Sequence, residues 1–218
     1  MTSLDHVVGA GDADLFRRYA AELVALVPDV ILASGTAAMA PLLHATRTVP
    51  IVFVVVIDPV GASFVNSLAR PGGNATGFTV FEYSMSGKWL ELLKQIAPAV
   101  TRAAVLRDPT IASGIGQFAA VQAVAPSLGV DLTPVDARDA FEIERAVTAF
   151  ARSGNAGLIV TASPVALRHR DLIVTLAARH RLPAVYTSGP YVAAGGLISY
   201  GPDLLEVPAR CWLRRPHH

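Results

Sequence analysis

The stretch PIVFVVVIDP, residues 50–59, decides the fold that the sequence predicts. Its seven consecutive apolar residues, Ile51–Ile57, lie between a proline and an Asp-Pro pair. A run of this length is typical of a strand that is buried on both faces, and it is far too short to span a bilayer. Strands buried on both faces belong to parallel sheets that helices cover, so this run predicts an α/β protein.

Outward from this stretch, strand and helix patterns alternate along almost the whole chain. Such alternation predicts parallel sheets flanked by helices. A break near residues 97–101 favours two sheets of four or five strands over one large sheet. Strands are predicted at 30–33, 51–57, 75–80, 102–107, 130–135, 157–161 and 183–187. Helices are predicted from Asp12 to about residue 26 and at 37–46, 60–69, 86–96, 114–126, 139–152 and 165–180.

Composition excludes several classes of function. The 218 residues include 18 basic and 17 acidic side chains, a net charge of +1, so the sequence carries no electrostatic footprint for nucleic acid. The single cysteine, Cys211, excludes a disulfide within the chain and makes a cysteine-based metal site unexpected. We expect no metal and no cofactor.

The ends of the predicted strands carry the candidate binding residues, because ligands of parallel sheets bind beyond the carboxyl ends of the strands. Backbone amides at the following helix starts can bind a carboxylate, and Asp58 or Asp108 can bind an ammonium group. The alternative is that the Ser, Thr and Asp residues there only cap helices. The candidates are Ser34, Gly35, Thr36, Asp58, Pro59, Thr79, Phe81, Asp108, Thr161, Ser163, Tyr186, Thr187 and Ser188.

A second pattern offers an enzymatic alternative. Residues 114–119, from Gly114 to Ala119, fit G-x-G-x-x-A, and Asp136 follows about twenty residues later, as in a dinucleotide fingerprint. Six residues separate Gly114 from the predicted strand, whereas the first glycine of that fingerprint follows its strand almost directly. An NAD(P)-dependent oxidoreductase that uses this segment is therefore the alternative interpretation.

Three long stretches together resemble one family: VPIVFVVVIDPVGASFVNSLARPGGNATGFT (49–79), KWLELLKQIAPAVTRAAVLRDP (88–109) and LAARHRLPAVYTSGPYVAAGGLISYGPD (176–203). The sequence is similar to ABC-transporter substrate-binding proteins of the tryptophan/tyrosine-type uptake family. The resemblance implies a type I periplasmic-binding-protein fold, with two α/β lobes and a ligand cleft between them. It implies lobe 1 at 1–100, lobe 2 at 101–195, and a hinge return with an atypical tail at 196–218.

The resemblance also implies the function. The candidate residues named above become contacts to a small organic solute, and Phe81, Tyr83, Tyr186 and Tyr191 can pack against its aromatic or apolar part. We then expect no catalysis, a monomer, hinge closure on the solute, a membrane permease as partner and a periplasmic location. The effector-binding half of a transcriptional regulator shares this fold and is a further alternative, although no helix-turn-helix pattern precedes residue 12.

The sequence departs from the family pattern at both ends. It begins near the family's second strand without a secretory signal pattern, and LLEVPARCWLRRPHH follows Asp203 where the family continues with a helix and strands. We therefore expect lobe 1 to lack its first strand and helix, and the chain to be less stable than a full-length member.

Overall fold

A computed structural model of the chain describes residues 13–152 and 154–202. The predicted helix start at Asp12 and the tail from residue 203 onward lie outside the described residues. The strands are β1 (Ile31–Ser34), β2 (Ile51–Val56), β3 (Ala75–Thr79), β4 (Arg102–Arg107), β5 (Asp131–Asp136), β6 (Ala156–Val160), β7 (Ala184–Tyr186) and β8 (Ile198–Ser199). The helices are α1 (Ala13–Ala25), α2 (Thr36–Ala45), α3 (Gly87–Ile96), α4 (Ala112–Val124), α5 (Ala140–Ala151), α6 (Pro164–Arg168), α7 (Arg170–Arg179) and α8 (Gly189–Ala193).

The strands form two separate parallel sheets, which confirms the predicted α/β class. The first sheet has the order β1-β2-β3 and the second has the order β5-β4-β6-β7-β8. All the pairings between neighbouring strands are parallel. In the described residues the first sheet therefore has three strands rather than four or five. The apolar run Ile51–Ile57 contains β2, the central strand of this first sheet.

Alternate residues of the second sheet pack against different helices. Ala104 and Leu106 of β4 face a core that α5 and α7 complete, whereas Ala103 and Val105 face a core shared with α3 and α4. Helices therefore cover both faces of this sheet, as buried parallel strands require. The first sheet has its own core, to which α1 and α2 contribute.

The chain passes from one sheet to the other between β3 and α3. The crossing contains a short 3₁₀ helix, Tyr83–Ser86, and α3 then packs in the core of the second sheet through Trp89, Leu90 and Leu93. This packing groups α3 with the second sheet, although it lies within the range predicted for lobe 1. Strand β8 also pairs within the second sheet, inside the range 196–218 predicted as hinge return and tail.

Two predicted helices differ from the structure. Residues 60–69 form turns and bends rather than a helix, and the segment at 165–180 is divided into α6 and α7 at His169. The backbone of His169, with φ −98° and ψ 20°, leaves the helical region there. In the described part of the chain, no helix combines the length and the apolar character needed to cross a membrane.

Candidate functional site

A cavity of about 240 Å³ lies between the carboxyl ends of the two sheets. The first sheet contributes the residues that end or follow its strands, and the second sheet contributes those after β6 and β7. Among the residues that the structure describes, those that line it carry no charged side chain. They are Phe16, Ser34, Gly35, Thr36, Ala37, Val55, Ile57, Val80, Phe81, Ile111, Ser113, Ala162, Ser163, Pro164, Leu167, Thr187, Ser188, Tyr191 and Pro202.

The structure brings together about half of the predicted site residues in this cavity. Those that line it are Ser34, Gly35, Thr36, Phe81, Ser163, Thr187 and Ser188. They come from the ends of β1, β3, β6 and β7, so both sheets contribute. A solute that contacts them would therefore touch both halves of the molecule.

Asp58 is not among the lining residues, and its carboxylate is engaged by the backbone. Oδ1 accepts a hydrogen bond from the Gly61 amide at 2.7 Å, and Oδ2 accepts one from the Tyr83 amide at 3.1 Å. The Asp58 amide itself donates to the Phe81 carbonyl at 3.0 Å. Asp58 thus ties the end of β2 to the start of the crossing segment, and the buried Pro59 follows it.

Asp108 lies in a second cavity of about 530 Å³ that adjoins the first. The two cavities share Phe16, Thr36, Ala37, Ile111 and Pro164 along their common wall. The Asp108 side chain is buried, and its Oδ1 accepts from the amide and the hydroxyl of Thr110, at 2.9 and 2.6 Å. Arg17 and His44 also line this second cavity, so the Arg17 guanidinium and the Asp108 carboxylate lie there and not in the first cavity.

Two of the remaining predicted residues, Thr79 and Thr161, form hydrogen bonds within the sheets. The Thr79 hydroxyl donates to the Val56 carbonyl at 3.3 Å, and the Thr161 hydroxyl donates to the Leu106 carbonyl at 2.9 Å. Each bond links a strand end to the neighbouring strand of its own sheet. The buried Tyr186 lies behind Tyr191 rather than in the cavity wall.

Tyr186 and Tyr191 form a stacked pair at the base of the cavity. Their ring centroids are 5.0 Å apart and the ring planes differ by 14°. Burial raises the pKa of Tyr186 to about 12, and it raises the pKa of Tyr191 further, with a smaller contribution from Tyr186. Both phenols are therefore neutral at physiological pH, and Tyr191 presents an aromatic surface to the cavity.

Two α-helices, α2 with 10 residues and α4 with 13 residues, begin at the cavity. Thr36 and Ala37 open α2, and Ile111 is the N-cap of α4; neither helix has a side-chain cap at its start. Gly35, the N-cap of α2, has φ 88°, a left-handed conformation that glycine adopts at little cost. The Thr36 hydroxyl accepts from the Ile57 amide at 3.0 Å, which fixes the start of α2 against the end of β2.

The segment from Gly114 to Ala119 has a packing role that the dinucleotide interpretation does not explain. It lies inside α4, beginning at the third residue of the helix, rather than in a strand-to-helix loop. A Cβ on Gly114 would overlap the Asp108 carbonyl oxygen, and one on Gly116 would overlap the Tyr83 ring. These glycines allow α4 to approach the neighbouring backbone and the crossing segment closely.

Sequence reasoning missed several residues of the cavity, notably Ser113, Phe16, Val55 and Leu167. Phe16 and Leu167 are helix residues whose direction depends on tertiary packing. Val55 lies in a β-bulge of β2, where the register with β3 shifts between Phe53 and Val56. Only Ser113 had a signal in the sequence, because it is a serine in the first turn of a helix that follows a strand.

Comparison with known proteins shows the family to which the chain belongs. Residues 5–209 match the family model described as ABC transporter substrate binding protein. A curated relative is the tyrosine-binding protein of Clostridioides difficile (strain R20291), which is 23% identical over 200 residues. The match covers 92% of this chain and 57% of that relative, so the chain spans less than two thirds of its length.

Two solved structures share the fold. A conserved domain protein from Vibrio cholerae superimposes with a TM-score of 0.83 at 27% identity, covering 92% of this chain and 67% of that one. The ABC domain from Streptococcus pneumoniae in complex with L-Trp superimposes with a TM-score of 0.82 at 24% identity, covering 92% of this chain and 68% of that one. These relatives are described as binding proteins or unnamed domains, and none of them favours the oxidoreductase alternative.

Proposed function

Because the chain belongs to the ABC transporter substrate-binding protein family, we propose that it is the solute-binding component of an ABC uptake transporter. The single observation that carries this proposal is the cavity between the carboxyl ends of both sheets. Ligands of parallel sheets bind at these strand ends, and here two sheets present theirs to one space.

The chemistry of the cavity favours a small organic solute with an aromatic or apolar body. Its walls combine apolar side chains with a few hydroxyl groups, and Tyr191 offers a ring face. Pockets of this kind bury the body of a ligand against apolar groups and orient it with few polar contacts. L-Trp in the pneumococcal complex and tyrosine in the clostridial protein's name are solutes of the same class.

We assign seven residues as solute contacts and two sheets as the cores of two lobes. The contacts are Ser34, Gly35, Thr36, Phe81, Ser163, Thr187 and Ser188. A solute that touches both lobes binds the closed arrangement more tightly than an open one, and so shifts the population toward closure. In this proposal, a membrane permease recognises the closed form. The site of action is outside the cytoplasmic membrane, and the protein carries out no catalysis.

Isothermal titration calorimetry of the purified chain tests this function. The panel contains L-tryptophan, L-tyrosine, benzoate, glucose and NADH, each titrated at the same ionic strength. We expect saturable one-to-one binding of at least one aromatic solute and none of NADH. Binding of NADH alone supports the oxidoreductase alternative and contradicts the proposal.

A matched pair of variants then locates the site. Thr187→Val removes a hydroxyl from the cavity wall at nearly constant volume, whereas Thr133→Val makes the same change on the exposed face of β5. The first change should weaken binding of the aromatic solute, and the second should leave it unchanged. Equal effects of the two changes would place the solute elsewhere.

A further inference from the structure

Strand β2 contains a β-bulge at the point where it reaches the cavity. After Phe53 its register with β3 shifts, so that Val54 and Val55 together lie opposite the single residue Phe78. On its other side β2 pairs with β1, and there Val54 is still the partner of Ser34. Val55 pairs with neither β1 nor β3. It is therefore the extra residue of the bulge.

The bulge changes which side chain of β2 enters the core. In a regular strand every second side chain faces the same side, so Val55 would follow Ile51 and Phe53 into the core of the first sheet. In the structure Val56 takes that place and is buried in this core with Ile51 and Phe53. Val55 is only partly buried and lines the cavity instead. The extra residue thus moves one valine side chain from the core to the cavity wall.

The backbone of Val55 has a conformation that valine rarely adopts. Its φ is 57°, in the left-handed region that a β-branched residue strongly disfavours. Strain of this kind persists only where the surrounding structure maintains it, and it concentrates at ligand sites. In the described part of the chain, five further residues other than glycine have positive φ, and none of them lines the cavity. They are Val27, Asp58, Ser63, Asn155 and Arg181.

Hydrogen bonds on both sides of Val55 maintain its conformation. The Gly35 amide donates to the Val54 carbonyl at 3.0 Å, and the Val80 amide donates to the Val56 carbonyl at 2.9 Å. These bonds join β2 to the segments that follow β1 and β3. Val55 lies between two fixed residues, so its backbone cannot relax unless a bond between strands breaks. The sheet therefore fixes the direction of this side chain toward the cavity.

Val55 belongs to an apolar part of the cavity wall that the first sheet supplies. Ile57, Val80 and Phe81, which follow β2 and β3, line the same cavity. The cavity has a volume of only about 240 Å³. In a hydrophobic pocket, one methylene more or less changes affinity by about tenfold or more. A valine that cannot move away therefore limits the size of the group that fits against this wall.

We infer that the bulge of β2 holds the Val55 side chain in the cavity as a fixed wall, and that Val55 sets the largest aromatic or apolar body that the solute can carry. This inference rests on the proposed function and names a residue that determines specificity at the same site. Truncation of Val55 enlarges the cavity on the side of the first sheet and admits a larger body.

Pairs of solutes that differ in the size of their ring system test the inference by calorimetry. The pairs are benzoate with 2-naphthoate and L-phenylalanine with L-tryptophan. Val55→Ala removes two methyl groups from the wall, so it should raise the affinity for the larger member relative to the smaller by about tenfold or more. Val52→Ala makes the same change on β2 at a partly buried residue outside the cavity wall. This control should keep the wild-type ratio of the two affinities.

Urea denaturation tests whether the left-handed backbone of Val55 is strained. Val52 pairs regularly with Thr76, and glycine in a regular strand is less stable than alanine. Val52→Gly should therefore have a lower urea midpoint than Val52→Ala. At Val55 the order should reverse, because glycine adopts φ 57° at little cost and alanine does not. A Val55→Gly midpoint that lies as far below Val55→Ala as at residue 52 would contradict the strained bulge.

Failure of this inference is distinguishable from failure of the proposed function. If Val55→Ala binds these solutes with the wild-type ratio of affinities, Val55 does not set the size of the solute, while the solute-binding function stands. If neither the wild type nor Val55→Ala binds any of the four solutes, both the role of Val55 and the proposed function are overturned.

Discussion

Replacement of Asp58 is the perturbation whose outcome separates a structural role from a ligand-binding one. The sequence places Asp58 at a strand end, where it is a candidate for binding an ammonium group. In the structure its carboxylate accepts from the amides of Gly61 and Tyr83 and so anchors the crossing between the sheets. Asp58→Ala removes both acceptors and leaves the strand end without its link to the crossing segment.

The expected cost follows from three contributions. The bond from the partly buried Tyr83 amide is worth about 1.5–2 kcal/mol, because a hydrogen bond to a charged group is stronger than a neutral one. The bond from the exposed Gly61 amide is worth about 0.5–1 kcal/mol, since water replaces it. Asp58 also has φ 43°, and alanine adopts this left-handed conformation at a further cost of about 1 kcal/mol. The free energy of unfolding should therefore fall by about 3–4 kcal/mol.

Urea denaturation followed by fluorescence measures this loss directly. Asp58→Asn keeps one carbonyl acceptor and the tolerance for the left-handed conformation, so it should lose about half as much. Asp131→Ala, an exposed position at the start of β5, is the control and should change stability little. Asp58→Asn also changes the surroundings of the Tyr83 phenol. Burial raises the pKa of Tyr83 to about 12, and the Asp58 charge makes a smaller contribution in the same direction. A spectroscopic titration of Asp58→Asn should therefore show a lower Tyr83 pKa.

One result would contradict a structural role for the Asp58 carboxylate. Asp58→Ala with unchanged stability but a loss of solute affinity of tenfold or more would show that the carboxylate contacts the solute. We expect the opposite, a large loss of stability with an affinity close to that of the wild type in the folded fraction.

Three further predictions concern packing and helix ends, and urea denaturation measures all of them. Gly116→Val should destabilise the chain by about 1–3 kcal/mol, because its side chain would overlap the Tyr83 ring; a stability equal to that of the wild type would show that α4 does not pack closely on the crossing. Asp139→Ala should cost about 1 kcal/mol, since Asp139 caps α5 by accepting from the amide three residues on at 2.8 Å; no loss would contradict the cap. Trp89→Phe should cost about 1 kcal/mol, because it removes the 2.7 Å bond from the indole Nε1 to the Tyr200 carbonyl; an unchanged midpoint would mean that this bond between α3 and the residue after β8 adds no stability.

Much of the fold is predictable from local patterns. The run Ile51–Ile57 supplies the central strand of the first sheet, as its apolar character predicts. Burial on both faces is not confirmed, because Ile51, Phe53 and Val56 are buried whereas Val52, Val54 and Val55 are only partly buried. The cap at Asp139 follows from the acid that precedes a helical pattern, and it is present. The predicted helix at 60–69 is wrong because Asp58 and Ser63 take left-handed conformations and the segment is held by turn bonds instead.

The site is less predictable than the fold. The rule that ligands bind beyond strand ends indicates residues such as Ser34 and Thr187 correctly as members of the cavity wall. It does not distinguish them from Thr79 or Thr161, whose hydroxyls bond to a neighbouring strand, because side-chain direction at a strand end depends on twist and bulges. Ser113 escapes the rule because five residues separate it from the end of β4.

Hydrogen exchange of the chain with and without saturating benzoate or L-tryptophan tests the central claim most directly, because it reports where the solute lies. We expect bound solute to slow the exchange of the amides at 34–37, at 111–114 and at 187–188, from both sheets at once. Protection limited to one sheet, or to the exposed strand β5, would contradict binding between the sheets.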